Sequence, residues 1–366
     1  VPDDRSAWSR VASGILRRSL RLKRGQNVII EAWTHTLPFA ELLTTAAVRL
    51  GLRPTTFFVS EQAFLEAQEK AHPHGPAASV RSELAAIAAA DGYVLLPGPE
   101  DLSLLDRLPA AKRRAHDRGI AERRRLLQQH AVPSVCVLGA PVTKGAAEQF
   151  GVDFEAWRRE SLAGHLVDPQ LLRREATPFA RAFQDGHKLT VTHPNGTELE
   201  LGLYGRAPVI EDGTVDAYDR AQGRTYTVLP AGWVAVAVEE STADGSLIAN
   251  RPSRDGRGLV QDVRWTFRGG RLTDFAVGAG RVAFERRFAR GGPEKSRPAL
   301  LEIGLNPKLH DFPMVEDHQS GVVTLYLGHN EDYGGRTRGT FREYALLEGA
   351  DVRVDGRRIL RAGRRL

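Results

Sequence analysis

Apolar positions recur with two different periods along this chain, and the change of period divides it. In the first half, residues 6–20 carry Trp8, Val11, Ile15 and Leu16 at helical spacing, 27–32 is a β-rich run, 41–50 is helical again, and 55–59 reads as a strand. The alternation continues through an Ala-rich helix at 82–90, a strand at 93–96, a long charged helix around 109–130 and a strand at 134–138. Strands separated by helices pack as a parallel sheet covered on both faces, so residues 1–184 are predicted to form a three-layer α/β domain.

Near Asp185 the pattern shortens. Alternating segments are divided by tight turns at Pro194-Asn195-Gly196, Arg268-Gly269-Gly270 and Val354-Asp355-Gly356, where Asn, Asp and Gly accept positive φ and close hairpins. A helical pattern returns only around 282–288. Residues 185–366 are therefore predicted to form a mainly antiparallel, β-rich α+β domain that carries the site.

Composition narrows the class without naming it. At 366 residues, 42% hydrophobic and 26% charged, the chain can bury a large core without disulfides, and no apolar run approaches the ~20 residues of a membrane span. The net charge of +6 comes mostly from Arg, in runs at 112–114, 123–125 and the C-terminal end, without the interleaved aromatics that stack nucleic-acid bases. No nucleic-acid or membrane partner is expected. The opening V-P-D-D-R-S lacks a basic-then-apolar leader and Cys136 stands alone, so the cytoplasm is the expected compartment.

Several local motifs have plain structural readings. Gly278-Ala279-Gly280 is read as a strand–turn–helix link rather than a dinucleotide loop, since it lies outside any βαβ unit. Asn195-Gly196-Thr197 is a hairpin turn, Cys136 is inert packing in a buried strand, and Glu239-Glu240 is a charged strand end. The candidate chemistry lies between residues 301 and 335. Glu302, His310, Asp311, Glu316, Asp317, His318 and His329 fall there, three of the chain's eleven histidines among them. Imidazole with carboxylate suits Zn, Fe or Mn, and the same residues suit proton transfer, substrate binding or an exposed polar loop. No pair has the tight spacing of H-x-x-x-H or H-x-D.

The segment Leu20-Arg21-Leu22-Lys23-Arg24-Gly25-Gln26-Asn27-Val28-Ile29-Ile30 resembles the opening of the thermophilic aminopeptidase T family, leucyl-aminopeptidase-like metallopeptidases. Leu229-Pro230-Ala231-Gly232-Trp233-Val234 resembles the family's L-P-x-G-E-V strand, and Val238-Glu239-Glu240-Ser241 with Gly245 resembles its E-D-S-x-x-G turn. Gly304-Leu305-Asn306 is similar to its G-x-N motif, the stretch from Gly321 to Gly328 to its G-T-x-H-x-x-L-G strand, and Val354-Asp355-Gly356 to its closing hairpin. The wording G-L-N-P-K and G-x-N-x-x-Y-G-G, the latter from Gly328 to Gly335, is similar to a branch that contains 2,5-dihydroxypyridine dioxygenases with non-haem iron.

Carried over residue by residue, the family's metal ligands fall on Trp233, Leu300, Thr324, Arg342 and Tyr344, with Glu302 two residues beyond Leu300 and on the same side of a strand. An indole, an isobutyl group and a guanidinium cannot replace Glu or His as donors. The resemblance then implies an aminopeptidase T-like enzyme with a degenerate site and no cofactor, acting by acid–base chemistry on a small amino-acid-derived, peptide or heteroaromatic substrate. Glu302, His318, His329 and Tyr344 would move protons, while Trp233, Arg342, Thr324 and Tyr333 would bind substrate, Arg342 through an anionic group. Three alternatives stand beside it. One is a metal-dependent aminopeptidase whose rebuilt ligand set, Glu302, His310, His318 and His329, holds one or two Zn, Mn or Fe ions. The others are a non-haem iron ring-cleaving dioxygenase and a non-catalytic small-molecule or peptide-binding protein. The family pattern also implies a homodimer.

Overall fold

The computed structural model describes residues 2–70, 81–254 and 258–366. The chain divides into two compact units, Val1–Leu166 with Gly213–Pro230, and Val167–Asp212 with Ala231–Leu366.

The first unit is built on a five-stranded sheet, parallel throughout, in the order Arg53–Val59, Asn27–Trp33, Gly92–Leu95, Ser134–Val137, Tyr226–Leu229. Val28, Ile29 and Ile30 are all buried, as expected of a central strand covered on both faces, whereas the edge strand Arg53–Val59 alternates partly exposed positions. The helix Leu37–Arg49 turns Phe39, Ala40, Leu43, Ala46 and Ala47 inward at helical spacing, and full burial of a side chain such as Leu43 contributes about 1.5–3 kcal/mol. The fifth strand lies beyond the 184/185 boundary expected from the sequence, because the chain returns from the second unit to complete the first. Cys136 is buried here and its thiol is pushed up to about 12 by burial, so it is not a nucleophile at neutral pH.

The second unit begins with the helix Pro169–Asp185, capped by the Asp168 carboxylate, which accepts the Gln170 amide at 3.1 Å. Its Leu172, Ala176, Phe179 and Phe183 are buried. Two antiparallel sheets follow. One has eight strands, ordered Arg271–Ala276, Arg264–Arg268, Asp244–Ile248, Thr197–Gly202, Lys188–His193, Asp351–Val354, Arg357–Arg361, Arg364–Arg365. The other has five, ordered Arg342–Glu348, Val322–Gly328, Pro298–Gly304, Trp233–Ala237, Val209–Glu211, and it carries the candidate site. The expected hairpins form where the turn residues lie: Asp355 and Gly356 take φ of 48° and 80°, the positive values a two-residue loop needs. Among the described residues no helix is long and apolar enough to cross a membrane.

Candidate functional site

The central strand of the five-stranded sheet, Pro298–Gly304, places Glu302 directly between Ala235 on one neighbour and Thr324 on the other. Residues opposed across antiparallel strands share a face, and alternate residues along a strand return to it. Tyr326 opposes Tyr344 and Gly328 opposes Arg342, so Glu302, Thr324, Tyr326, Tyr344 and Arg342 lie on one face. Trp233 opposes Gly304, on that same face. Ala235 and Ala237 keep the floor low, and Leu300 packs into it with Ala237, Ala299 and Tyr326.

A second layer folds over this face from two short 3₁₀ turns. Glu316–His318 brings Asp317 and His318 down onto Glu302, so that one ligand atom from each of the three lies within 4.8 Å of the others. The turn is held from below, since the His318 carbonyl accepts the amides of Leu305 at 3.1 Å and Asn306 at 2.9 Å. It is held from the side by the Glu316 carboxylate, which accepts the Arg254 amide at 2.8 Å. The second turn, Glu331–Tyr333, sets Tyr333 beside Trp233, with ring centroids 6.2 Å apart.

The electrostatics of this layer are those of crowded acids with one cation. Burial first, and then the neighbouring Asp317, push the Glu302 carboxyl well above its ordinary range, while Arg342 pulls the other way. Tyr326 donates its hydroxyl to Asp317, and burial with the charges of Asp317 and Glu302 raises the phenol. The Arg342 guanidinium lies over the Tyr326 and Tyr333 rings at 5.1 and 4.9 Å. Burial opposes its charge, but Tyr333, Tyr326 and Glu302 outweigh burial and it stays protonated.

The sequence-derived residues are thus distributed unevenly. Glu302 and His318 converge, joined by Asp317, one of the seven candidates but outside the proposed ligand set. Thr324, Tyr344, Arg342, Trp233 and Tyr333 surround them. His310 lies exposed, its carbonyl accepting from Arg251, and His329 sits past the strand end beside Asp332 and the Phe341 carbonyl. Neither belongs to the cluster of donors. Tyr326 went unrecognised, although it lies two residues past Thr324 on the same face of a strand. Glu240, read as part of a charged strand end, is buried instead. The Arg206 fork grips it at 2.8 and 2.7 Å, and it accepts from Asn330 at 2.8 Å and the Arg336 amide at 2.7 Å. Burial alone would raise this carboxyl, yet these donors bring it down to about 2.

Comparison with known proteins places this architecture. Residues 5–290 match the family described as thermophilic metalloprotease (M29). The chain belongs to that family. Wild-type AmpT from Thermus thermophilus shares its fold, at 18% identity over 99% of each chain and a TM-score of 0.76. A 2,5-dihydroxypyridine dioxygenase from Pseudomonas putida is similar at 16% identity over 99% of this chain and 97% of that one, with a TM-score of 0.63. No curated protein sequence matches.

M29 membership corrects the expectation of a cofactor-free site, because this is a family of metallopeptidases that bind divalent metals. The residues present fit such an ion. Glu302 Oε1 is buried without a hydrogen-bond partner among the described residues, and a buried carboxylate oxygen left so is costly unless a cation or donor meets it. Two carboxylates and an imidazole are a borderline donor set suited to Zn, Mn or Fe. The family's ligands, carried over residue by residue, did not fall on Asp317 and His318, because these two arrive from a turn rather than from a strand.

The M29-like motifs explain how this geometry is held. Gly232, at φ 135°, lies under Asn306, and a Cβ there would come 2.9 Å from both the Asn306 amide nitrogen and its Cβ. Asn306 Nδ2 donates to the Ala231 carbonyl at 2.7 Å, and its Oδ1 accepts the Lys308 amide at 3.0 Å. The asparagine of G-x-N therefore ties the approach to Trp233 to the segment that carries the turn.

Proposed function

We propose that this chain is a metal-dependent peptidase of the aminopeptidase type acting on short peptides, with Glu302, Asp317 and His318 holding one divalent cation. The observation that carries the reading is their convergence within 4.8 Å, with Glu302 Oε1 buried and without a partner among the described residues. A divalent ion held there would polarise a peptide carbonyl and lower the pKa of a bound water.

The chain's own residues supply the rest of the function. Tyr326 orients Asp317 through its hydroxyl and fixes which carboxylate oxygen faces the cluster. Arg342, charged and braced by two tyrosine rings, takes the free carboxylate of a short peptide in a two-pronged hydrogen bond. Trp233, 6.4 Å from the His318 ring between centroids, and Tyr333 wall the space and exclude water from it. A homodimer belongs to the same reading, on the strength of the family resemblance, and sedimentation velocity measures it.

The test is metal content with turnover. Protein purified without added metal is analysed by mass spectrometry, then assayed on dipeptides before and after chelation. Chelation should abolish hydrolysis, and zinc, manganese or iron should restore it. Hydrolysis that survives complete metal removal would defeat the reading, as would oxygen uptake with 2,5-dihydroxypyridine and no peptide hydrolysis.

A further inference from the structure

Three neighbouring parallel strands of the first unit, Arg53–Val59, Asn27–Trp33 and Gly92–Leu95, all point their carboxyl ends to the same end of their sheet. The segments that follow carry Glu61, His35 and Glu100, and bring a ring nitrogen and two carboxylate oxygens within 4.8 Å of one another. Carboxyl ends of parallel strands are where open α/β sheets gather side chains around ligands, because each strand there hands over to a loop.

Each of the three side chains is set by its own loop. Thr36 Oγ1 accepts the Trp33 amide at 2.8 Å and donates to the Trp33 carbonyl at 3.0 Å, closing the turn that presents His35. The Glu61 amide donates to Thr34 Oγ1 at 3.1 Å, and the Glu100 amide to Glu61 Oε2 at 3.4 Å, so the loops are laced together. Gly145 leaves room for Glu100, since a Cβ there would come 3.1 Å from its Oε1.

A separate observation points to a ligand. The His35 ring donates a hydrogen bond to the Pro97 backbone, and its Nδ1 is buried with no hydrogen-bond partner among the described residues, while the three side chains as a whole are half-buried and their donor atoms converge. A buried Nδ1 and two carboxylates facing one another are unfavourable as they stand, and a divalent cation relieves both terms.

We infer that His35, Glu61 and Glu100 form a second divalent metal site, a His/Glu/Glu set for an ion of the zinc class, which clips together three loops of the parallel sheet. Three protein donors leave a fourth position for water on a tetrahedral ion. The site is contained in the first unit and is independent of the reading of Glu302, Asp317 and His318.

The test uses the full chain carrying Glu302→Gln and His318→Ala, stripped with chelator and titrated with Zn2+ alone by calorimetry. One equivalent should bind and raise the melting temperature. Adding Glu61→Gln and Glu100→Gln should weaken binding at least a hundredfold and remove the zinc-induced rise. Equal affinity with and without the glutamine pair would overturn the inference, as would no zinc binding by the parent. Should the glutamine pair fail to fold, His35→Ala with Co2+ gives the same decision: loss of an imidazole-ligated cobalt spectrum supports the site, and an unchanged spectrum overturns it.

Discussion

Gly304 lies directly beneath the peptide of Asp317: a methyl group in its place would enter the van der Waals shell of the Asp317 and Gln319 carbonyl oxygens. That close approach lets the turn close onto the strand that carries Glu302. Gly304→Ala should therefore lift the turn, with an overpacking cost of about 1–3 kcal/mol. It should also lower zinc affinity at the Glu302 cluster at least tenfold. Denaturant melts with and without zinc measure both, and unchanged zinc affinity in folded Gly304→Ala protein would show that the turn does not depend on this contact.

Tyr326 reaches the cluster through its hydroxyl, which donates to Asp317. Tyr326→Phe keeps the ring that packs against Tyr344, 5.5 Å away between centroids, and removes the donor. Hydrogen bonds to metal ligands set ligand orientation, and their loss typically costs about tenfold to a hundredfold in metal affinity. The variant should fold, lose about 1–3 kcal/mol in chelator for the unsatisfied Asp317 oxygen, and bind zinc more weakly by that factor. Competition with a chromogenic chelator reads the affinity directly.

The two-part architecture was legible because it is written in local spacing. The Leu37–Arg49 helix repeats its apolar residues at the helical period, and Asp355-Gly356 announces its hairpin through the conformations those residues tolerate. What stayed hidden is long-range. The strand Tyr226–Leu229 completes a sheet begun some two hundred residues earlier, and nothing in its own composition says which sheet it joins. Glu302 could be found on its strand by counting. Asp317 could not be singled out from its neighbours, because only the turn over Gly304 aims it at Glu302. Glu240 looked like an exposed strand end since its partners Arg206, Asn330 and Arg336 lie far from it in sequence. The trio His35, Glu61 and Glu100 has no ligand-like spacing, and only the parallel sheet brings it together.

Arg342 offers a test of substrate chemistry that leaves the donor cluster in place. If it takes a free carboxylate, Arg342→Ala should raise KM for dipeptides by about tenfold to a hundredfold, the range expected for losing a charge-assisted hydrogen-bonded pair. Amidated dipeptides should be poor substrates of the native protein and should respond little to the substitution. Arg342→Lys should recover part of the loss, since it keeps the charge without the fork. Equal KM changes for free and amidated substrates would assign Arg342 to bracing the tyrosines instead.

Glu240 makes the stability of the second unit depend on pH in the acid range. Its carboxyl is brought from an ordinary 4.5 to about 2 in the folded protein, where Arg206, the Arg336 amide and Asn330 outweigh burial. A lowered folded pKa means that the carboxylate's contribution is fully present above pH 4.5, and is lost as the pH falls toward 2, because protons then bind the unfolded chain first. The span corresponds to about 3 kcal/mol. Glu240→Gln should accordingly destabilise the protein by about that amount at pH 7, and the gap between the two proteins should narrow through this window. The substitution also unfastens the loop that presents Tyr333, whose Asn330 donates to Glu240 and accepts the Thr337 amide at 2.9 Å. Urea melts of both proteins at pH 7, 4.5 and 3 measure the effect, and a stability difference that stays constant with pH would mean that the Arg206 fork does not hold an ionised Glu240.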